Sequence, residues 1–248
     1  EYAEGGKVIL DELAERRWKA SFFLTGTFLR TTAFGPLVQR MVREGHAVGP
    51  HSDAHLLYCP WEARDTTLVT REEFGADLER NLQALEGFGV DRRKVRYWIP
   101  PYEWYNTTIA GWSEALGLTL ASFTPGTRSN ADYTTDGASN FVSSQAILDS
   151  IRARERDDPA GLNGFILLLH ILGWGTLIAL VARDADHAAG GGAARAGNVS
   201  GDGYVAHAAV RRLDHVRARL ELAYFHRRRG DGDLHVPFVA GALSVQYH

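Results

Sequence analysis

The chain has 248 residues, 45% of them apolar and 10% aromatic, a globular rather than a disordered composition. Its formal net charge of −3 excludes a general attraction to nucleic acid or to an anionic membrane. The single cysteine, Cys59, excludes an internal disulfide and leaves either a half-buried thiol or a thiolate ligand near His55.

In chain order the apolar spacing predicts a helix over Lys7–Arg17, then a buried strand over Ala20–Gly26. A helix over Phe34–Glu44 leads into a short strand, His46–Gly49. Thr70 with Glu73 three residues on is a capping box, so a long amphipathic helix is expected over Arg71–Phe88. A strand at Val95–Ile99, a helix at Thr107–Leu116 and a strand at Leu118–Phe123 follow. A helix over Ser143–Arg154 and an apolar strand over Phe165–Leu169 end the regular series. Strands separated by helices of this length imply a parallel sheet or barrel. The series opens on a helix and on Glu1, without Met or a signal-like segment. A processed product or fragment is therefore expected, with a first strand just before Glu1. The run Phe165–Ala182 is uncharged over 18 residues, but His170, Gly173 and Gly175 interrupt it and no basic cluster flanks it. It reads as a strand plus something else rather than a membrane span.

Polar groups collect where these strands end. His51 and His55, four apart in Gly49-Pro-His-Ser-Asp-Ala-His, can converge on one metal ion, or can simply share a solvated turn. Pro100-Pro-Tyr-Glu-Trp-Tyr-Asn106 offers flat faces at Tyr102 and Trp104 on a stiffened backbone, which suits a sugar or a rigid surface turn. Arg128 and Asp132 lie in a polar loop after the next strand, able to orient a catalytic partner or to cap a helix. His170 closes an all-apolar strand, as a general acid or base or as a satisfied core histidine. Three strand ends bearing His, Tyr/Trp and His in that order are far less expected by chance than any one of them.

These motifs resemble the polysaccharide deacetylase (NodB-homology, carbohydrate esterase) family over roughly Glu1 to His170. His51 to His55 matches its His-Ser-x-x-His motif, Pro101-Tyr102 its Pro-Tyr motif, and Leu168-Leu-His170 its Leu-x-His motif. Ala20-Ser-Phe-Phe is similar to its second-strand signature. The resemblance implies an α/β fold, a distorted (β/α)7 barrel, here with its first strand truncated and its C-terminal closure open. It divides the chain into a catalytic domain, 1–171, and an atypical C-terminal segment, 172–248.

The implied activity is removal of acetyl groups from a polysaccharide or amino-sugar glycan, at C–N or ester bonds, by attack of metal-bound water. His51, His55 and Glu1 would hold a divalent ion, most often zinc, with cobalt, nickel or manganese as neighbours. The residue before Glu1 would be the general base. Tyr102 N–H, beside Pro101, would help hold the oxyanion. His170 would protonate the leaving group and Asp132 would tune it. The implied partner is an acetylated glycan, with no nucleic acid and no membrane span, and the family setting is the cell envelope or outside the cell.

Two departures keep a second function open, a catalytically inactive carbohydrate-binding member of the same fold. Ile99 stands where the family carries an arginine, and Arg128 is a candidate replacement. After His170 the composition shifts: six of the ten histidines fall in 172–248 and the last lysine is Lys94. Out-of-frame translation of a GC-rich gene accounts for this. So does a divergent extension with a helix at Val210–Phe225 and a strand at Leu234–Val239 that closes the barrel.

Overall fold

Alternation along β1 (Ser21–Leu24) sets the layers of the molecule. Phe22 and Leu24 pack outward against Ile9, Leu10 and Leu13 of α1 (Glu4–Glu15), in one core with Val38 and Met41 of α3 (Gly35–Arg43). Phe23, between them, points the other way and meets Ile99 and Leu168 in a separate interior cluster. In this computed structural model residues 4–134, 137–162, 164–171 and 242–244 are described.

Every strand pairing among the described residues is parallel. One sheet runs in the order β2 (Ala47–Pro50), β1, β6 (Ala242–Ser244), β5 (Leu168–His170), and β3 (Tyr97–Trp98) pairs with β4 (Thr119–Leu120). Two hydrogen-bonded links join the sheets into a ring. Ile99 N–H, just past β3, donates to Pro50 O of β2 at 3.4 Å. On the other side Thr124 N–H donates to Ile166 O at 3.0 Å. The Phe23, Ile99 and Leu168 cluster fills the inside of that ring and the helices cover its outside. This is a distorted parallel α/β barrel, as the motifs implied.

The remaining helices are α2 (Gly26–Arg30), α4 (Arg71–Glu86), α5 (Thr107–Ala115) and α6 (Ser144–Asp157). The capping box predicted for α4 is present: Thr70 Oγ1 accepts from Glu73 N–H, and Glu73 accepts from Thr70 N–H. Ser143 caps α6 in the same way through Ala146 N–H. The short α2 was not anticipated, because its five residues are too few to show a period. Four of the five expected strands proved shorter than their apolar runs, β2 keeps its expected length shifted by one residue, and the last is shifted to include His170 itself. The expected helix at Val210–Phe225 and strand at Leu234–Val239 lie outside the described residues, and the C-terminal segment contributes β6 instead. No helix among the described residues is long and apolar enough to cross a membrane.

Candidate active site

The C-terminal ends of β2, β3 and β5 come together: the His51 and His55 rings are in contact, His55 meets Tyr102, and the His170 charge acts on His51. The loop after β2 begins at His51, which is fully buried. Its Nδ1 lies 2.8 Å from Ile99 O. A carbonyl only accepts, so Nδ1 carries the proton and the ring lone pair lies on Nε2, the arrangement of a metal-ligating imidazole. The His51 and His55 rings are 5.1 Å apart at 63°. Burial pushes His51 down to about 3, with the His55 and His170 charges adding to the effect and the Ile99 carbonyl opposing it.

This loop is held from beneath by α4. Its inward stripe is Phe74, Asp77, Leu78, Asn81, Leu82 and Leu85, so two polar groups sit within an apolar helical face. Asn81 Oδ1 accepts His51 N–H at 2.9 Å, while its Nδ2 donates to Leu24 O. Asp77 accepts from Asp53 N–H at 2.8 Å and from Ala54 N–H at 3.0 Å. Asp53 in turn takes a bidentate pair from Arg30, at 2.5 and 3.2 Å. Gly26 makes room for that carboxylate, since a Cβ there would fall 1.7 Å from Asp53 Oδ1.

The second loop follows Pro100-Pro101. Tyr102 and Glu103 both take left-handed backbone, φ 61° and 50°, as do Ser52 and His55 in the first loop at 66° and 54°. Non-glycine residues pay roughly 1–2 kcal/mol each for this region, and strain of that kind gathers at functional sites. The Tyr102 ring rests 4.6 Å from that of His55. Trp104 is tied down: Nε1 donates to Pro60 O at 3.3 Å, and the Arg64 guanidinium lies 4.3 Å over its ring. Trp61, which the sequence reading passed over, packs against both Tyr102 and Trp104.

The third strand end, that of β5, presents His170, almost wholly buried. Its Nδ1 is 2.6 Å from Asp132 Oδ1, and its backbone N–H donates to Asp132 Oδ2 at 2.9 Å. Nε2 is buried and has no hydrogen-bond partner among the described residues. Glu103 Oε1 is a second buried oxygen without such a partner. Burial pushes the Glu103 carboxyl up to about 7, against the pull of His170 and with a further push from Asp132. These couplings tie Glu103, Asp132 and His170 to the His51–His55 pair.

Not every candidate joins them. Arg128 is exposed, and its backbone N–H donates to Ser150 Oγ, which gives no support to a role as replacement for the missing arginine. Glu1 lies outside the described residues. Cys59 is completely buried in a core with Tyr58, Phe74 and Trp98, and burial raises its thiol, so the half-buried and thiolate-ligand readings both give way to a packed thiol. His51 and His55 fit a divalent transition ion as two nitrogen donors. Among the described residues no third His, Cys, Asp or Glu joins them as a metal-holding group. Asp77, Asn81 and Glu103 were missed by the sequence reading. The signal for the first two was legible, as polar residues at apolar positions of α4.

Residues 2–121 match the family model described as polysaccharide deacetylase. An uncharacterized 30.6 kDa protein of Geobacillus stearothermophilus is 38% identical over 71 residues, covering 29% of this chain and 23% of that protein. The chain thus spans about a quarter of the length of that curated relative. A family 4 carbohydrate esterase from Streptomyces lividans, solved with acetate, superposes with a TM-score of 0.52 at 23% identity, over 71% of this chain and 77% of that one. A family 4 pseudoenzyme from Bacillus anthracis superposes at 0.54 with 18% identity, over 73% and 57%.

Proposed function

Through residues 2–121 the chain belongs to the polysaccharide deacetylase family, and from that premise we propose that it is a metal-dependent hydrolase removing acetyl groups from a glycan. The observation that carries the reading is that an imidazole pair, His51 and His55, lies within electrostatic reach of the His170–Asp132 pair, on the parallel strand ends of one sheet. A divalent ion, zinc or a first-row neighbour, would be held by His51 and His55 and would supply Lewis-acid polarisation of the acetyl carbonyl.

The chain's own residues do the rest. Asp132 keeps the proton of His170 on Nδ1 and fixes the ring, so proton transfer runs through Nε2, the buried atom that lacks a partner. That atom protonates the departing amine or alcohol oxygen as the acyl bond breaks. Tyr102 N–H, placed by the rigid Pro100-Pro101 pair, donates to the developing oxyanion. Glu103, with a proton affinity near neutrality, is the described carboxyl suited to accept a proton from the attacking water.

The test is acetate release from acetylated chito-oligosaccharides with added zinc or cobalt, run beside His51→Ala. Metal-dependent release that the variant abolishes is expected. Release that is unchanged in His51→Ala, or that needs no metal, would overturn the reading. One observation favours a second reading, a glycan-binding member without turnover. The buried, apolar Ile99 stands where the family carries an arginine. Specific binding of the same oligosaccharides with no acetate release under any metal would select it.

A further inference from the structure

We propose that Asp53 is a positioning residue of the candidate metal site: its carboxylate, clamped between Arg30 of α2 and Arg80 of α4, holds the turn that presents the His55 imidazole to that of His51, and so sets the affinity for the ion. The effect on affinity rests on the metal-dependent reading; the placement of the ring stands without it.

The two histidines are placed by different means. His51 follows β2 directly, with its N–H on Asn81 Oδ1 and its Nδ1 against Ile99 O. His55 comes at the far end of a turn in which Ser52 and His55 itself both take left-handed backbone. Backbone of that kind persists only where the surrounding contacts over-determine it. Here those contacts come from two helices. From the start of α2, Gly26 N–H donates to Ser52 O at 3.3 Å and Thr27 N–H to Asp53 O at 3.2 Å. From α4, the Asp77 carboxylate takes the N–H groups of Asp53 and Ala54. Within the turn, Ser52 Oγ accepts from Leu56 N–H at 3.1 Å.

Asp53 is where the two sets meet. It sits midway between the histidines, and its side chain reaches both helices. Arg30 grips it from α2 with the bidentate pair. Arg80 Nε donates to Asp53 Oδ2 from α4 at 3.3 Å, and Arg80 Nη2 lies 3.6 Å from Asp77 Oδ1. The Asp53 carboxylate is 8% exposed, while the arginine side chains are 55% and 53% exposed. An ion pair between two exposed groups adds little. A buried carboxylate held by two planar guanidiniums gains direction as well as charge. The room it takes is reserved for it, since no side chain fits at Gly26. Groups that orient a ligating histidine tune the ion that it holds, even where they never touch that ion.

The experiment titrates cobalt into wild type, Asp53→Asn and the double variant Arg30→Gln/Arg80→Gln, following the visible absorption band. Asp53→Asn should bind cobalt about tenfold more weakly, with a shifted band. The double variant should move in the same direction, and its half-exposed side chains leave the fold intact. A clamp that only stabilised the fold would lower the thermal melt and leave affinity and band alone. Unchanged cobalt binding in the folded variants therefore overturns the proposal. If Asp53→Asn does not fold, the double variant decides by the same criterion. If wild type binds no cobalt, the metal reading fails, and histidine-selective NMR of the metal-free proteins decides. A His55 ring signal displaced in the variants, with that of His46 just before β2 unmoved, upholds the placement. Coincident His55 signals in variants and wild type overturn it.

Discussion

Replacing Glu103 by glutamine should change how stability responds to pH, and should do so in a readable direction. The carboxyl ionises near its ordinary value of 4.5 when unfolded and at about 7 when folded. Between those values the folded protein holds a proton that the unfolded chain has lost. Stability from this group is therefore fully present below pH 4.5 and is lost as pH rises through 7. The loss follows about 1.4 kcal/mol per pH unit, or about 3 kcal/mol across the window as an upper figure. His51 acts in the opposite sense: with its folded value near 3 against 6.5 unfolded, its contribution is present above 6.5 and lost as pH falls toward 3. From pH 4.5 to 6.5 the two slopes cancel in the wild type. Urea unfolding with a chelator present, at half-unit steps from pH 4.5 to 8.5, should show a shallow profile for wild type. Glu103→Gln should rise steeply to pH 6.5 and lie above wild type beyond pH 7. Parallel curves for the two proteins across that range would refute the assignment of a buried, protonatable Glu103.

Other perturbations bear on the rest of the site. Asp132→Asn, which leaves the shape and removes the charge beside His170 Nδ1, should lower kcat for acetate release by roughly a hundredfold or more, with KM little changed. Asp77→Ala strips the acceptor from two loop N–H groups; it should weaken zinc or cobalt binding by about 10–100-fold in titration calorimetry and lower the melting temperature. Gly26→Ala drives a methyl into Asp53 and should destabilise the fold by about 1–3 kcal/mol in denaturant unfolding, a loss that Asp53→Ala in the same chain relieves. Zinc at a hundred times its Kd should stabilise the wild type by about 2.7 kcal/mol, and His51→Ala should remove that increment.

The elements that sequence exposed best were those whose signals are local. Thr70 and Glu73 name the start of α4 because both halves of the capping box lie within one turn, and Ser143 marks α6 for the same reason. His51, His55 and His170 were legible as strand-end residues, and the Asp132 partnership was reached through the family likeness before its 2.6 Å contact was seen. What stayed hidden depends on tertiary placement. Asp77 and Asn81 become supports of the histidine loop only once α4 lies under β2. Glu103 gains its character from burial beside His170, and nothing in Tyr-Glu-Trp announces it. Trp61 was missed because six exposed residues with no period carry no pattern to read. Cys59 went the other way: proximity to His55 in sequence suggested a ligand, while packing against Tyr58 and Trp98 made it core.

The position of β6 carries a consequence for how the molecule comes to be built. Ala242–Ser244 lies between β1 and β5, so Ser21, with Ala47 of β2 on one side, has Ala242 on the other. That pairing has the longest sequence separation in the sheet, and its loop-closure entropy must be overcome before the pairing rewards it. On a ribosome the β1–β2 and β3–β4 pairs are complete long before residue 242 emerges. Until then the edges of β1 and β5 face one another unpaired, open templates for a strand from another chain. Assembly should accordingly show a late, slow phase that reports on β1 and β5 together, and a tendency to associate that ends when that phase does.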